Sequence, residues 1–522
     1  MNSKKRILMI AAENDALPGA KIGGVGDVLR DLPPALVAEG LDVDVVVPSY
    51  GFLARLPGLE NCGSFVVLFS GEEREVTLLK VPGLHGGSSQ YILHHQAFAP
   101  SGESVYCNDP PSRPFATDAT KYAFFCSAVT QALVAGFLPI PDVLHCHDWH
   151  SAFLLIQIRF DPALHLLKSI TTVFTIHNLA MQGVRPFSGD PSAFQAWYPE
   201  LQYDAAEICD PKLTHCINPM RAAIRLADMV HTVSPTYARE ILHASDHRLG
   251  HYGGEGLERD LQLRSEQGRL CGIINGCEYP KGVRIAAPAK KKVVELAQSC
   301  LLKWASRSPV LASAHWLAEK RLQQWGVKKS RGFTLTSVGR ITEQKTRLLM
   351  TRINGKTALE QLLESLGDAG QFIMLGSGDA SMEAFFVKVS GDYSNFIFCN
   401  GYSDDLSQML YRYGDLFLMP SSFEPCGISQ MLAMRAGQPC LVSCVGGLKD
   451  TVDHHKTGFC FGGEGVREQA QNMISEFTTS LNMFQHDNEH YRQIAKCASE
   501  VRFTWQDSAT SYIDQLYHGA RK

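Results

Sequence analysis

The run Ile7-Leu8-Met9-Ile10-Ala11-Ala12, closed by Glu13-Asn14-Asp15 and followed by Lys21-Ile22-Gly23-Gly24-Val25-Gly26-Asp27-Val28, decides the fold. Its apolar residues show no period-two alternation, so it reads as a strand covered on both faces. The paired glycines let backbone N–H groups approach an anion, and the helical pattern after them favours negative charge at its first turn. Strand, glycine turn and helix in that order form the opening unit of an open parallel sheet. The start Met1-Asn2-Ser3-Lys4-Lys5-Arg6 is charged like a signal peptide. However, the apolar run stops at Glu13 without a small-residue cleavage site, so a buried strand is expected in place of a leader.

Further strand-like runs follow at Val43–Val47, Val143–Cys146, Thr171–Ile176, Met229–Val233 and Gly272–Ile274. A second series comprises Thr334–Val338, Phe372–Leu375, Phe396–Cys399, Leu416–Met419 and Cys440–Ser443. Helical patterns such as Lys121–Phe137 and Leu359–Leu366 lie between them, and repeated βα units predict parallel sheets with right-handed crossovers. Pro280, Pro288 and the run Lys290-Lys291-Lys292 mark an irregular charged stretch, which places the domain junction within residues 275–290. At 522 residues the chain is too long for one core. Two α/β domains are expected, residues 1–275 and 276–503, followed by one amphipathic helix over Trp505–Tyr517.

Composition narrows the function classes. Hydrophobic residues at 45% and charged residues at 20% are those of a globular protein. A net charge of −4 supplies no field for nucleic acid or an anionic membrane, so neither is expected as a partner. No apolar stretch approaches the roughly 20 residues that span a bilayer. The 15 cysteines include no Cys-x-x-Cys pair, which argues against a zinc ribbon and fits a reducing cytoplasm.

Ligands of open parallel sheets bind beyond the carboxyl ends of the strands, so the polar residues just after each strand matter most. Lys21 with Gly23 and Gly24 follows the first; their spacing is neither the dinucleotide fingerprint nor a P-loop. The segment His145-Cys146-His147-Asp148-Trp149-His150 invites a metal reading, but His145 and Cys146 are neighbours on a strand and point to opposite faces. The competing reading is that Asp148 presents a carboxylate at the strand end, with Trp149 as a stacking or packing surface. His177-Asn178 ends the next strand. In the second half, Arg340 and Lys345 flank one loop and suit a pair of phosphates. Gly376-Ser377-Gly378 offers another turn for close approach, Glu424 stands just past Leu416–Met419, and Gly446-Gly447-Leu448-Lys449-Asp450-Thr451 begins a helix with further N–H groups.

Together these motifs resemble the bacterial glycogen synthases and plant starch synthases, retaining glucosyltransferases of GT-B fold. The signature Lys-x-Gly-Gly stands at Lys21–Gly24 and His-Asp-Trp-His at His147–His150. The resemblance continues through Phe174–Gln182, Thr232–Glu240, Asn275-Gly276, Arg340 with Gln344-Lys345, and Pro420–Gln430, in the family's order along nearly the whole chain. It implies two Rossmann-like doubly wound domains facing across a cleft, with residues 504–522 packing back on the first. It also implies transfer of glucose from ADP-glucose to an α-1,4-glucan, without metal or other cofactor. Arg340 and Lys345 would hold the donor diphosphate, Glu424 would lie beneath the donor, His177 would contact the glucose, and Asp148 would sit near the acceptor. Lys21, Gly23, Gly24, Glu13, Asn178, Asn275, Gly376, Gly446, Gly447, Leu448 and Thr451 would line the substrates.

Several positions depart from the family pattern: Val25-Gly26, Met220-Arg221, Thr346 after Lys345, and Arg347–Lys356, which reads as a short insertion. Position 432 is Leu432 where related transferases carry a second carboxylate. The alternatives are another retaining GT-B transferase using UDP- or GDP-glucose or a small acceptor, and a glucan-binding protein with impaired catalysis.

Overall fold

The structure is a computed structural model that describes residues 4–83, 85–279, 287–307, 312–329 and 331–518. Pro280, the first three residues and the last four lie outside the described residues. Two compact units divide the chain: Met1–Ser245 with Gly253–Gly276 and Thr504–Lys522, and Asp246–Tyr252 with Cys277–Phe503. The short detour Asp246–Tyr252 is tied into the second unit by two contacts. Arg347 donates to the His247 carbonyl at 2.9 Å, and Tyr252 stacks on Phe423 with ring centroids 5.3 Å apart.

The first unit is built on a nine-stranded sheet. Its strands are β1 (Arg6–Ile10), β2 (Asp42–Pro48), β3 (Glu60–Phe69), β4 (Glu72–Lys80), β5 (Ser89–His94), β6 (Val143–His147), β7 (Thr171–Ile176), β8 (Met229–Thr232) and β9 (Leu270–Gly272). They lie in the order β9-β8-β7-β6-β1-β2-β5-β4-β3. Ile7, Leu8, Met9 and Ile10 are all buried, each such side chain contributing about 1.5–3 kcal/mol. The sheet is not wholly parallel: β4 runs antiparallel to both β3 and β5. In β3, Phe65, Val67 and Phe69 are buried while Val66 and Leu68 are exposed, the alternation of an edge hairpin with one wet face. The last strand ends at Gly272, upstream of the expected Gly272–Ile274.

The second unit holds a six-stranded sheet, entirely parallel. Its strands are β10 (Thr334–Val338), β11 (Gln371–Gly376), β12 (Phe396–Asn400), β13 (Leu416–Met419), β14 (Cys440–Ser443) and β15 (Gly458–Phe461), in the order β12-β11-β10-β13-β14-β15. Phe372 and Met374 pack with the helix Val466–His486 on one face. Ile373 and Leu375 pack with the helices Lys290–Ala305 and Ser313–Val327 on the other. Both faces of the strand are dry, which is why its sequence does not alternate. The run Lys290–Lys292 is the first turn of a helix, not irregular chain; Lys290 Nζ donates to the Trp325 carbonyl at 3.0 Å. The apparent insertion after Lys345 is the end of the helix Glu343–Met350 and a hairpin turning at Asn354-Gly355. Both turn residues have positive φ, 52° and 89°, the conformation that an Asn-Gly turn supplies.

The tail is helical over Trp505–Tyr512 and widens to a π turn over Ile513–Tyr517, with His518 N–H donating to Ile513 O at 2.9 Å. It belongs to the first unit, where Tyr512 and Tyr517 pack against His145. No helix among the described residues is long and apolar enough to cross a membrane.

Each sheet has one place where neighbouring strands send their connections to opposite sides, β1 beside β6 in the first unit and β10 beside β13 in the second. Loops splay apart at such points and leave a crevice past the carboxyl ends, where ligands bind.

Candidate active site

In the second unit the switch point is lined by the loops after β10 and β13. Two hydrogen bonds tie them together: Ser422 N–H donates to Gln344 O at 2.8 Å, and the Gln344 side-chain Nε2 donates to Phe423 O at 2.6 Å. Lys345, in the first turn of its helix, forms an ion pair with Glu424, whose carboxylate is only 7% exposed. Arg340 is exposed and makes no hydrogen bond or ion pair among the described residues. The loop after β10 therefore carries an exposed guanidinium, and five residues on a lysine anchored to a buried carboxylate. Two delocalised or point charges held at fixed positions suit an anion with several oxygens, such as a diphosphate.

Glycines shape this crevice by permitting close approach. A Cβ on Gly376 would collide with the Gly339 carbonyl, and one on Gly446 with the Glu424 carbonyl. Gly446 also has a φ of +43°. The Gly447 N–H is committed to Glu424 O at 3.1 Å and the Leu448 N–H to Val445 O at 3.1 Å. Thr451 is buried, donating to Gly447 O at 2.7 Å. Gly447, Leu448 and Thr451 hold the loop in shape, Lys345 and Glu424 pair at the switch point, and Arg340 lies on the same loop as Lys345.

In the first unit, Glu13 follows β1 and its carboxylate accepts three hydrogen bonds. It accepts Ile22 N–H at 2.8 Å, Gly23 N–H at 2.6 Å and the Tyr106 hydroxyl at 2.7 Å. Its role is to fasten the glycine turn. Beyond that turn begins the helix Gly24–Ala38, and a Cβ on Gly24 would meet nothing within 4 Å, so the approach to its first N–H groups is open. Lys21 Nζ pairs with Asp27 at 2.6 Å and Asp15 at 3.4 Å. Burial pulls the Lys21 pKa down, but the Asp27 bond and both aspartates outweigh it and raise it. The unusual Gly26 makes room for this lysine, since a Cβ there would lie 3.1 Å from Lys21 Cγ.

Asp148 caps β6 with a φ of +54°, a strained backbone for a non-glycine residue. Such strain persists where the surroundings over-determine it, often at functional positions. Its Oδ1 accepts His177 N–H at 2.8 Å and Asn178 N–H at 3.4 Å. Burial outweighs these bonds and raises its pKa to about 7. The ring of His177 sits 2.9 Å, Nε2 to Nδ1, from His147, and burial lowers its pKa to about 3. Asn178 Oδ1 accepts Ala180 N–H at 3.0 Å in a turn, and Asn275 is buried with its Oδ1 unpartnered. Trp149 is core: it is 2% exposed, and a Cβ on Gly183 would collide with its ring. The sequence motif does not gather as a metal set, because both His145 ring nitrogens are engaged, by the Tyr517 hydroxyl at 2.8 Å and Thr175 Oγ1 at 2.7 Å.

The chain resembles known proteins along nearly its whole length. A family described as starch synthase catalytic domain matches residues 6–263, and glycosyl transferases group 1 matches residues 332–477. A glycogen synthase of Gloeobacter violaceus is 33% identical over 98% of both chains. One from Desulfitobacterium hafniense is 30% identical over 98% of this chain and 100% of its own. The chain belongs to the glycogen synthase family. The starch synthase IV catalytic domain of Arabidopsis thaliana, solved bound to ADP and acarbose, shares the fold with a TM-score of 0.76 at 24% identity over the full length of both.

The enzyme is therefore a glycosyltransferase, and both halves of its GT-B fold carry polar strand ends. As a glycogen synthase it also contains groups that pattern reading passed over. Tyr106 supports the glycine turn through Glu13, Asp15 and Asp27 hold Lys21, and Gln344 stitches the loops after β10 and β13. The partner of Lys21 was legible in principle, since Asp27 shares the first turn of the helix that the glycines open. Among the described residues, His454, His455 and Glu476 bring ligand atoms within 4.8 Å of one another. His454 Nδ1, however, accepts the Cys460 N–H at 3.0 Å, so its other nitrogen carries the proton and has no lone pair for a metal.

Proposed function

We propose that the enzyme transfers glucose from ADP-glucose to the non-reducing end of an α-1,4-glucan, with retention and without a metal ion or other cofactor. One observation carries the donor part of this reading: Arg340 and the Lys345–Glu424 pair lie on the two loops at the switch point of the second sheet. When the bond from glucose C1 to the diphosphate oxygen breaks, negative charge grows on that oxygen. Arg340 and Lys345 are fixed cations that offset it, the part a divalent ion plays elsewhere. The buried Glu424 carboxylate orients Lys345 and faces the positive charge that develops on the sugar. His177 and Asp148 serve the glucose and the acceptor hydroxyl, whose oxygen bonds to C1 and whose proton leaves with the ADP phosphate. Fifteen free thiols suit a reducing cytoplasm. The ADP named with starch synthase IV supports the choice of base.

Initial rates with ADP-, UDP- and GDP-glucose on glycogen test this. ADP-glucose is expected to be faster than either competitor by about tenfold or more, the discrimination that contacts to one base supply. A chelator is expected to leave the rate unchanged. Incorporation from none of the three donors overturns the reading, and a strict need for added divalent metal overturns its cofactor clause.

A further inference from the structure

His145, His147, Thr175, His177 and His231 line one face of the first sheet. His147 pairs in register with Thr175, Thr175 with His231, and the others are two residues away along their strands. Four of the five are wholly buried, and His177 is 9% exposed. The rings of His147 and His145 stack 4.3 Å apart, and His147 Nδ1 lies 2.9 Å from His177 Nε2. His147 Nε2 is buried and has no hydrogen-bond partner among the described residues.

We infer that His147 is a positioning residue that fixes the tautomer of His177, so that His177 presents an Nδ1–H donor to the sugar. This rests on the reading of His177 given under the proposed function. A neutral imidazole carries one proton. Placed on His147 Nε2, that proton would be a buried donor without an acceptor, which costs about 1–3 kcal/mol. Placed on Nδ1, it is donated to His177 Nε2. His177 then has its lone pair engaged and its own proton on Nδ1, the nitrogen with no hydrogen bond among the described residues. Burial lowers the pKa of both rings, so neither takes a second proton near neutrality. The Asp148 carboxylate holds the His177 backbone while His147 holds its ring, so the donor is fixed at both ends. The other tautomer of His177 would offer the sugar a lone pair, and a flipped ring a C–H, where a donor is needed.

The test compares His147→Leu, His147→Asn and His147→Gln in the full chain, by kcat and KM for ADP-glucose and glycogen. The Asn side chain places an N–H where Nδ1–H stands; Gln places its amide where Nε2 stands. His147→Leu is expected to lower kcat about 10- to 100-fold with both KM values within about twofold, as misplacement of one catalytic contact does. His147→Asn is expected to stay within about threefold of the parent, and His147→Gln to resemble His147→Leu. Equal kcat for the Asn and Gln variants overturns the inference, including where His147→Leu fails to fold. His177→Ala separates the two levels. If it keeps near-parent activity, the reading of His177 itself fails. If it is inactive while His147→Leu is unimpaired, only the positioning role fails.

Discussion

A Lys345→Ala variant is expected to lose at least about 100-fold in kcat with ADP-glucose and glycogen, the scale set by removing one fixed charge-stabilising group from a transition state. The structure gives three reasons. Lys345 sits in the first turn of the helix that follows the central strand of its sheet, at the switch point. Its ammonium is held by Glu424, a carboxylate 7% exposed, so it does not reorganise when charge appears. Arg340, on the same loop, has no ion-pair partner among the described residues, so the loop carries net positive charge. Glu424→Gln is expected to lower kcat as well, by loosening Lys345 and removing the only negative charge in this group. Lys345→Ala leaves Glu424 buried without its partner, so some loss of stability accompanies it. Circular dichroism and an unfolding midpoint well above the assay temperature separate this from lost catalysis. Near-full activity in both variants would show that the donor site lies elsewhere.

The second large effect is acid lability of the first unit. His145, His147, His150, His177 and His231 are all buried, and burial is the first cause lowering the pKa of each, to about 3 for His145 and His177. In the unfolded chain they titrate near 6.5. Because the folded values are depressed, the unfolded state binds more protons below pH 6.5, and stability is present above that pH and lost as pH falls. Asp148, raised to about 7, works in the opposite sense by one proton, since the folded state keeps a proton that the unfolded chain has released. Asp27 and Asp44 are raised as well and oppose the histidines, but the five buried rings outnumber them, so the net effect is a loss of stability as pH falls below 6. Urea unfolding followed at pH 7.5 and pH 5.5 should therefore show the midpoint collapsing at the lower pH. Equal midpoints would mean that these rings are charged or solvated in the native state.

The parallel strands of the two sheets were legible because buried parallel strands are short apolar runs, and Thr171–Ile176, Thr334–Val338, Leu416–Met419 and Cys440–Ser443 coincide with observed strands. The strands β3 to β5, which close one side of the first sheet, were not legible. Their residues alternate, with charges at Glu72, Glu73, Arg74 and Glu75, and an alternating polar hairpin does not announce itself beside strands of a different pattern. Residue types after the strands identified Arg340, Lys345, Glu424, Asp148 and His177 as groups of interest. Their partners were hidden because pairing depends on which strands are neighbours. Lys345 and Glu424 meet only because β10 and β13 are adjacent, and His147 meets His177 only through the register of β6 and β7. Likewise the contacts of Glu13 with the N–H groups of Ile22 and Gly23 depend on how the glycine turn folds back over β1, which residue types do not show.

The central claim is that this enzyme lengthens an α-1,4-glucan at its non-reducing ends. The most direct measurement incubates it with radiolabelled ADP-glucose and glycogen, isolates the polymer and digests it with β-amylase, which removes maltose from non-reducing ends. Label entering the glycogen and leaving it as maltose is the expected result. A polymer that stays unlabelled, or label that β-amylase does not release, would contradict the account.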